Sequence, residues 1–281
     1  MADQVMKGSA ELSALRPELW ASQFYDTLLE ALPHRDLVAR DYEGEIRALG
    51  NIVNVTSFPQ FDVAEDVLED QKVDASAVTA VKTQLTINHQ LVKDFIVTDR
   101  AQVQTLEHAN ALRDLAFFAI MKKMEQIIIA DTVPSAAAPD HQIAYDSGTT
   151  LALADLLEGK ELLDNANVPD DGQRAFTADA EQWNDLFAIA SFTSRDFIPT
   201  GSPIESGDLP MLILGFRPRM TSLANSVTRM FHPSYMQLAV QRELDVRVFD
   251  QGVEGKRSSR VNSTLLFGNK QMDNTRVVSI G

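Results

Sequence analysis

The stretch Val81-Lys82-Thr83-Gln84-Leu85-Thr86-Ile87-Asn88-His89-Gln90-Leu91-Val92-Lys93-Asp94-Phe95-Ile96-Val97-Thr98, running on from Asp99 to Asp131, carries the reading of the fold because its hydrophobic period changes partway along. Up to Val97 the apolar side chains Val81, Leu85, Ile87, Leu91, Phe95 and Val97 share one face, while Lys82, Gln84, Thr86, Asn88 and Gln90 occupy the other. That two-residue period predicts one long strand, bent near Val92. Beyond Thr98 the recurrence becomes helical, through Val103, Leu106, Leu112, Leu115, Ala119, Met124, Ile127 and Ile128. With Thr98 or Asp99 as a cap and no Pro or Gly inside, the pattern predicts a single helix to near Asp131, about 50 Å long at ~1.5 Å per residue. It reads as a structural spine; the sustained heptads of a coiled coil are missing.

Upstream, Leu15, Leu19, Phe24, Leu28 and Leu29 predict an amphipathic helix from Leu15 to about Ala31, with Pro17 near its start and Pro33 just past its end, preceded by a polar arm over Ala2 to about Ser13. Asp41 to Ile46 reads as a turn feeding a short strand over Gly50 to Val55. Between that strand and the long one lie Asp62, Glu65, Asp66, Glu69, Asp70 and Asp74, met only by Lys72, which predicts an exposed acidic loop. Downstream, the Pro-, Ala-, Ser- and Gly-rich segment Thr132 to Thr150 reads as a connection. Leu151 to Leu163 then predicts a helix, Arg174 to Thr177 a strand, Ala178 to Ile189 a helix capped by Thr177, and Met211 to Phe216 a buried strand. The C-terminal part predicts a helix over Met236 to Gln241 and strands at Asp245 to Phe249, Ser263 to Phe267 and Thr275 to Ile280. The fold class is α+β.

Composition narrows the functional classes. A chain of 281 residues, 44% hydrophobic and 23% charged, can bury a sizeable core and is neither disordered nor fibrous. The absence of cysteine excludes a disulfide framework, a thiolate metal site and a cysteine nucleophile. A net charge of −15 opposes adhesion to polyphosphate and gives no footprint of a sequence-reading DNA binder. No segment approaches the roughly 20 apolar residues of a membrane span, so no membrane is expected. The five histidines, at positions 34, 89, 108, 141 and 232, include no i, i+4 pair, and His89 and His108 read as structural. Gly252-Val253-Glu254-Gly255-Lys256 ends like a phosphate loop but lacks its glycine spacing and its Ser or Thr, and reads as a turn. No catalytic, cofactor-binding or metal-binding residues are expected.

The order of these elements resembles the major capsid proteins of tailed bacteriophages, the Hong Kong 97-type fold. The resemblance is carried by Leu19 to Ala31 with Arg40-Asp41-Tyr42-Glu43-Gly44-Glu45 and Gly50-Asn51-Ile52-Val53-Asn54-Val55, and by Val92 to Asp99 leading into the long helix. It continues through Asn167-Val168-Pro169 to Thr177, Phe231-His232, Met236 to Val240 and Val246-Arg247-Val248. It implies an N-terminal arm and helix over 1–40, a two-stranded extension loop over 41–97, a peripheral domain with the spine over 98–145, an axial domain over 146–230, and a return to the peripheral domain over 231–281. The implied function is a self-assembling subunit of an icosahedral or prolate virion head, built in the host cytoplasm, whose pentamers and hexamers enclose double-stranded DNA without reading its sequence. The implied partners are further copies, a portal protein and decoration proteins. Only about a dozen residues precede the first helix, so a separate scaffolding protein, or none, is implied. An encapsulin-like shell around an enzyme cargo is the alternative, and an enzyme of unassigned type a third reading.

A two-stranded projection is marginal alone in water, so a long strand pair with an acidic tip needs a neighbour to lie on. The candidate interface residues are Asp62, Glu65, Asp66, Glu69, Asp70 and Lys72 in the loop, with Lys122 and Lys123 near the end of the spine as a basic counterpart.

Overall fold

In the computed structural model, residues 32–46, 50–58, 66, 78–98, 108–146, 148–189, 192, 212–250 and 258–281 are described. After two single-turn helices, α1 (His34–Leu37) and α2 (Glu43–Ile46), and the early strands comes the long helix α3 (His108–Ala130). Its buried row is Ala116, Ile120, Met124 and Ile128, four residues apart on one ridge. The expected stripe is therefore displaced at its start, since Leu115 is 40% exposed and Ala119 also faces outward. The expected beginning of this helix, 99–107, lies outside the described residues, as does the arm helix before Leu32.

The alternating stretch is not one bent strand but two, β2 (Val81–Thr86) and β3 (His89–Thr98), broken at Ile87 and Asn88 rather than near Val92. They enter different sheets. β2 pairs antiparallel with β1 (Ile52–Ser57), whereas β3 is an edge of a three-stranded antiparallel sheet with β8 (Met236–Asp250) and β9 (Ser258–Gln271) in the order β3-β9-β8. One face of that sheet, with Leu91, Leu265 and Phe267, packs on α3 to form a core with Ile120, Met124, Ile128, Phe231 and Tyr235. His89 faces the same core, its ring stacked 5.2 Å from that of Phe267.

A five-stranded mixed sheet follows the order β4 (Gln142–Ile143), β10 (Val277–Ile280), β7 (Thr228–Phe231), β5 (Ala175–Ala178), β6 (Arg217–Met220). On one face Phe176, Ala178, Met230, Val278 and Ile280 meet α4 (Leu153–Asn165) and α5 (Ala180–Ala188) through Leu156, Leu163 and Leu186. On the other face Ala175, Phe231 and Val277 belong to the α3 core, so this sheet joins the two cores. The buried Asp155 caps α4 by accepting the Ala152 N–H at 2.8 Å and also takes the Asp146 N–H at 3.1 Å. The cap of α5 is Asp179 rather than Thr177: its carboxylate accepts from the Ala180 N–H while Gln182 accepts from the Asp179 N–H.

Two further expectations are overturned. Met236 to Gln241 opens β8 as strand, with Met236, Leu238, Ala239 and Val240 all buried. Leu212 to Phe216 is a tight turn, not a strand: Ile213 and Phe216 exchange both backbone hydrogen bonds, and Leu214 and Gly215 take φ of 52° and 89°. Its apolar side chains are there because Ile213 and Phe216 plug the α4–α5 core.

Candidate functional site

Among the described residues, the β1–β2 ribbon leaves large apolar side chains exposed toward its tip. Its register, Ile52↔Thr86 to Ser57↔Val81, puts Val53, Val55, Thr83 and Leu85 on one face and Ile52, Asn54, Thr56, Lys82 and Gln84 on the other. The first face is buried only at the root, where Leu85 and Ile87 join Ile46 and Ala239, with Tyr42, Val53, Leu266 and Met272 around them. Toward the tip Val81, Val78 and Phe58 are 54%, 52% and 69% exposed. Covering what remains exposed on each of these would contribute on the order of 1 kcal/mol, which another molecule lying on the ribbon would supply.

The root is held by close backbone approach. Gln241 donates from Nε2 to the carbonyls of Ile46 at 3.1 Å and Gly50 at 2.8 Å, and the Ile87 N–H donates to the Asn51 carbonyl at 2.9 Å. Gly268 of β9 lies under the ribbon's end: a Cβ there would stand 2.2 Å from the Thr86 carbonyl oxygen. Open grooves of about 390 and 450 Å³ flank the ribbon, the first lined in part by Tyr42, Phe58 and Arg276, the second by Gln84, Asn88 and Asp131.

A second surface lies on the three-stranded sheet, away from α3. Val92 (47% exposed), Ile96 (58%) and Phe249 (49%) share that face, around an Asp94 carboxylate that accepts from Arg260 and Asn262. Leu115 of α3 and Val248 add apolar surface elsewhere.

The chain that enters at Leu32 is locked by a buried polar junction. The Glu125 carboxylate, on α3 and fully buried, accepts the His34 N–H at 2.7 Å, the Arg35 N–H at 3.1 Å and the His34 Nδ1–H at 2.9 Å. It thereby satisfies the first-turn donors of α1. The other ring nitrogen of His34 meets Thr177 Oγ1 on β5 at 3.1 Å, and the ring stacks on Phe231. α1, α3 and the five-stranded sheet thus converge on one imidazole. Nearby, burial pushes the Tyr235 hydroxyl up to about 12, and it bonds Thr132 Oγ1 at 3.0 Å. In the α4–α5 region the buried Arg174 bonds the Val168 and Pro169 carbonyls and Asp164. The Lys160 hydrogen bond, outweighing burial, and then Arg174 hold the Asp164 carboxyl below the usual carboxylate range.

Of the interface residues expected from sequence, Asp66 is exposed, Lys123 is exposed and Lys122 is half-buried on α3. Asp62, Glu65, Glu69, Asp70 and Lys72 lie outside the described residues. His34, Glu125 and Gly268 were not anticipated. A glycine inside the apolar run Leu265-Leu266-Phe267-Gly268 was the one available signal, since glycine within a strand marks close backbone approach.

Sequence comparison with curated proteins finds no match. Solved structures give extensive likeness. A chain of Mycobacterium phage Che8 superposes with a TM-score of 0.79 at 22% identity, over 95% of this chain and 97% of that one. A chain of the capsid of cyanophage P-SCSP1u gives 0.76 at 11% identity, over 100% and 96%. A chain of the cyanophage Pam1 capsid asymmetric unit gives 0.72 at 15%, over 100% and 98%. At these identities the likeness is one of fold. The family model described as phage capsid protein matches residues 46–281, from the buried Ile46 at the ribbon's root to the C-terminal strand, and the chain therefore belongs to the phage capsid protein family, as a structural subunit of the virion shell.

Proposed function

We propose that copies of this chain assemble into pentamers and hexamers that close an icosahedral or prolate head around double-stranded DNA, held without sequence reading, and that the chain performs no catalysis. The observation that carries this is the β1–β2 ribbon, whose apolar tip residues Phe58, Val78 and Val81 are exposed in the single chain. In this reading 1–40 is the arm, 41–97 the extension, 98–145 with 231–281 the peripheral domain, and 146–230 the axial domain. The acidic residues Asp62, Glu65, Asp66, Glu69 and Asp70, with Lys72, rest on a neighbouring copy, for which Lys122 and Lys123 offer a basic counterpart. Exposed ion pairs contribute only ~0.2–1 kcal/mol each, but a closed shell repeats them at every contact. A portal protein, a separate scaffolding protein and decoration proteins complete the assembly, which takes place in the host cytoplasm before the subunit resides in the virion.

Deleting Glu65 to Lys72 tests the reading. The subunit should unfold at nearly the parent's temperature yet yield few or no closed particles by light scattering and negative-stain microscopy. Equal yields of intact shells would show that the loop does not govern assembly, and a parent chain that stays monomeric at all concentrations and salts would sink the pentamer-and-hexamer assembly.

A further inference from the structure

The two faces of the five-stranded sheet differ in charge. On the side away from α4 and α5, register places Ser279, Arg229, Thr177 and Arg219 in one row and Val277, Phe231, Ala175 and Arg217 in the next. Val277, Phe231 and Ala175 are buried in the α3 core and Thr177 is taken by His34, so the three arginines form the margin that stays open. Neither row contains an Asp or Glu, whereas α4 and α5 across the sheet carry Glu158, Glu161, Asp164, Glu181 and Asp185.

Arg217 and Arg219 are exposed on the edge strand, and Arg229 is half-buried. Arg229 donates only to the carbonyls of Ala224 at 3.3 Å and Val227 at 3.4 Å, and among the described residues none of the three guanidiniums has a carboxylate partner. Burial holds Arg229 below the ordinary arginine range, the effect of desolvating a cation with no anion beside it. Strand geometry sets Arg217 and Arg219 about 7 Å apart, and Arg229 about 10 Å from Arg219 across two strand spacings.

We propose that this margin docks the phosphates of duplex DNA inside the shell, an inference that rests on the shell function proposed above. Guanidiniums suit phosphate because each offers a planar fork of donors, and backbone contacts of this kind carry no sequence information. The margin fits a phosphate backbone better than another copy of the chain because its two rows expose no large apolar side chain. Interfaces between proteins bury apolar and aromatic groups at their centre; Met220, 45% exposed on the same edge strand, pairs with Ala178 and so belongs to the opposite face. Against a net charge of −15, a margin whose two rows hold no acid is what would let the subunit touch a polyanion.

The test compares the full-length parent with Arg217→Ala/Arg219→Ala and Arg217→Lys/Arg219→Lys, using a fluorescent DNA duplex of arbitrary sequence and anisotropy across a salt series. Removing one cation from a phosphate should flatten the plot of log affinity against log salt by ~0.9, so the alanine pair should lower the slope by about 1.8 while the lysine pair keeps it. Thermal unfolding should be unchanged, since both residues are exposed. Equal slopes for parent and alanine pair, or no salt-dependent binding by the parent, would overturn the proposal. So would a peptide copying residues 62–74 that binds the parent more tightly than the duplex does, or an alanine pair that binds duplex normally but forms no shells, since either assigns the margin to another copy. Microscopy of the parent preparation separates the two readings: absence of shells refutes the shell function and leaves the duplex result to be judged by itself.

Discussion

Gly268→Ala isolates the seating of the ribbon. The added Cβ would meet the Thr86 oxygen at 2.2 Å, the Thr86 carbonyl carbon at 2.8 Å and the Ile87 Cα at 2.9 Å, all backbone atoms that no rotamer change can move. Reaching even the 3.0 Å lower limit of real contacts requires the root to shift by close to 1 Å, against the packing of Leu85 and Ile87 on Ile46 and Ala239. Overpacking of this kind costs about 1–3 kcal/mol, while the stiffer unfolded chain returns about 0.4–1 kcal/mol. A net loss of ~1–2 kcal/mol lowers the unfolding midpoint by roughly 2–4 °C for a chain of this size. The geometric effect is larger than the energetic one. The six paired residues of β1 reach about 20 Å from the root, so a 1 Å displacement at the fulcrum becomes several ångströms at Phe58. Calorimetry of the subunit beside particle counts by microscopy should therefore show a modest loss of stability and a severe loss of closed shells. Gly44→Ala is the control, because nothing lies within 4 Å of its added Cβ and α2 should be slightly stabilised. A Gly268→Ala protein that melts and assembles like the parent would refute the claim that backbone contact at this glycine aims the ribbon.

Leu115→Pro should abolish soluble folded protein, judged by circular dichroism of the soluble fraction, because a proline inside α3 costs ~3 kcal/mol or more even at an exposed position. Glu125→Ala strands the His34 and Arg35 N–H groups in the core and should destabilise by about 3 kcal/mol in denaturant titration, with Glu125→Gln recovering part of that loss. Asp164, held below its ordinary value of 3.8, contributes stability that is full above that pH and lost as pH falls through its lower folded value. At 44% side-chain exposure the effect is under about 1 kcal/mol, so Asp164→Asn should lower the midpoint slightly at pH 6 and leave it unchanged near pH 2.

Local period was enough to read much of this chain from its residues. The switch near Thr98 from alternating to helical spacing anticipated α3, the branched residues of Ile52 to Val55 anticipated β1, and leucine spacing anticipated α4. The order of those elements carried the family. Where both faces are buried, the period vanishes: Met236 to Gln241 has helix-forming residues and no alternation, yet pairing with β9 on one side and burial on both faces make it strand. The apolar turn at Ile213 to Phe216 was concealed the same way, its hydrophobicity set by the core it plugs, though Gly215 marked it. The break at Ile87 was illegible because the phase of alternation runs through it unchanged, while Gly268 lies against Thr86 where the chain passes from one sheet to the next. Likewise nothing in the spacing of His34, Glu125 and Thr177, or of Arg217, Arg219 and Arg229, announces that they meet. Sequence determines what each segment can bury locally, whereas contacts between residues far apart in the chain exist only once the sheets and the spine have fixed which faces oppose one another.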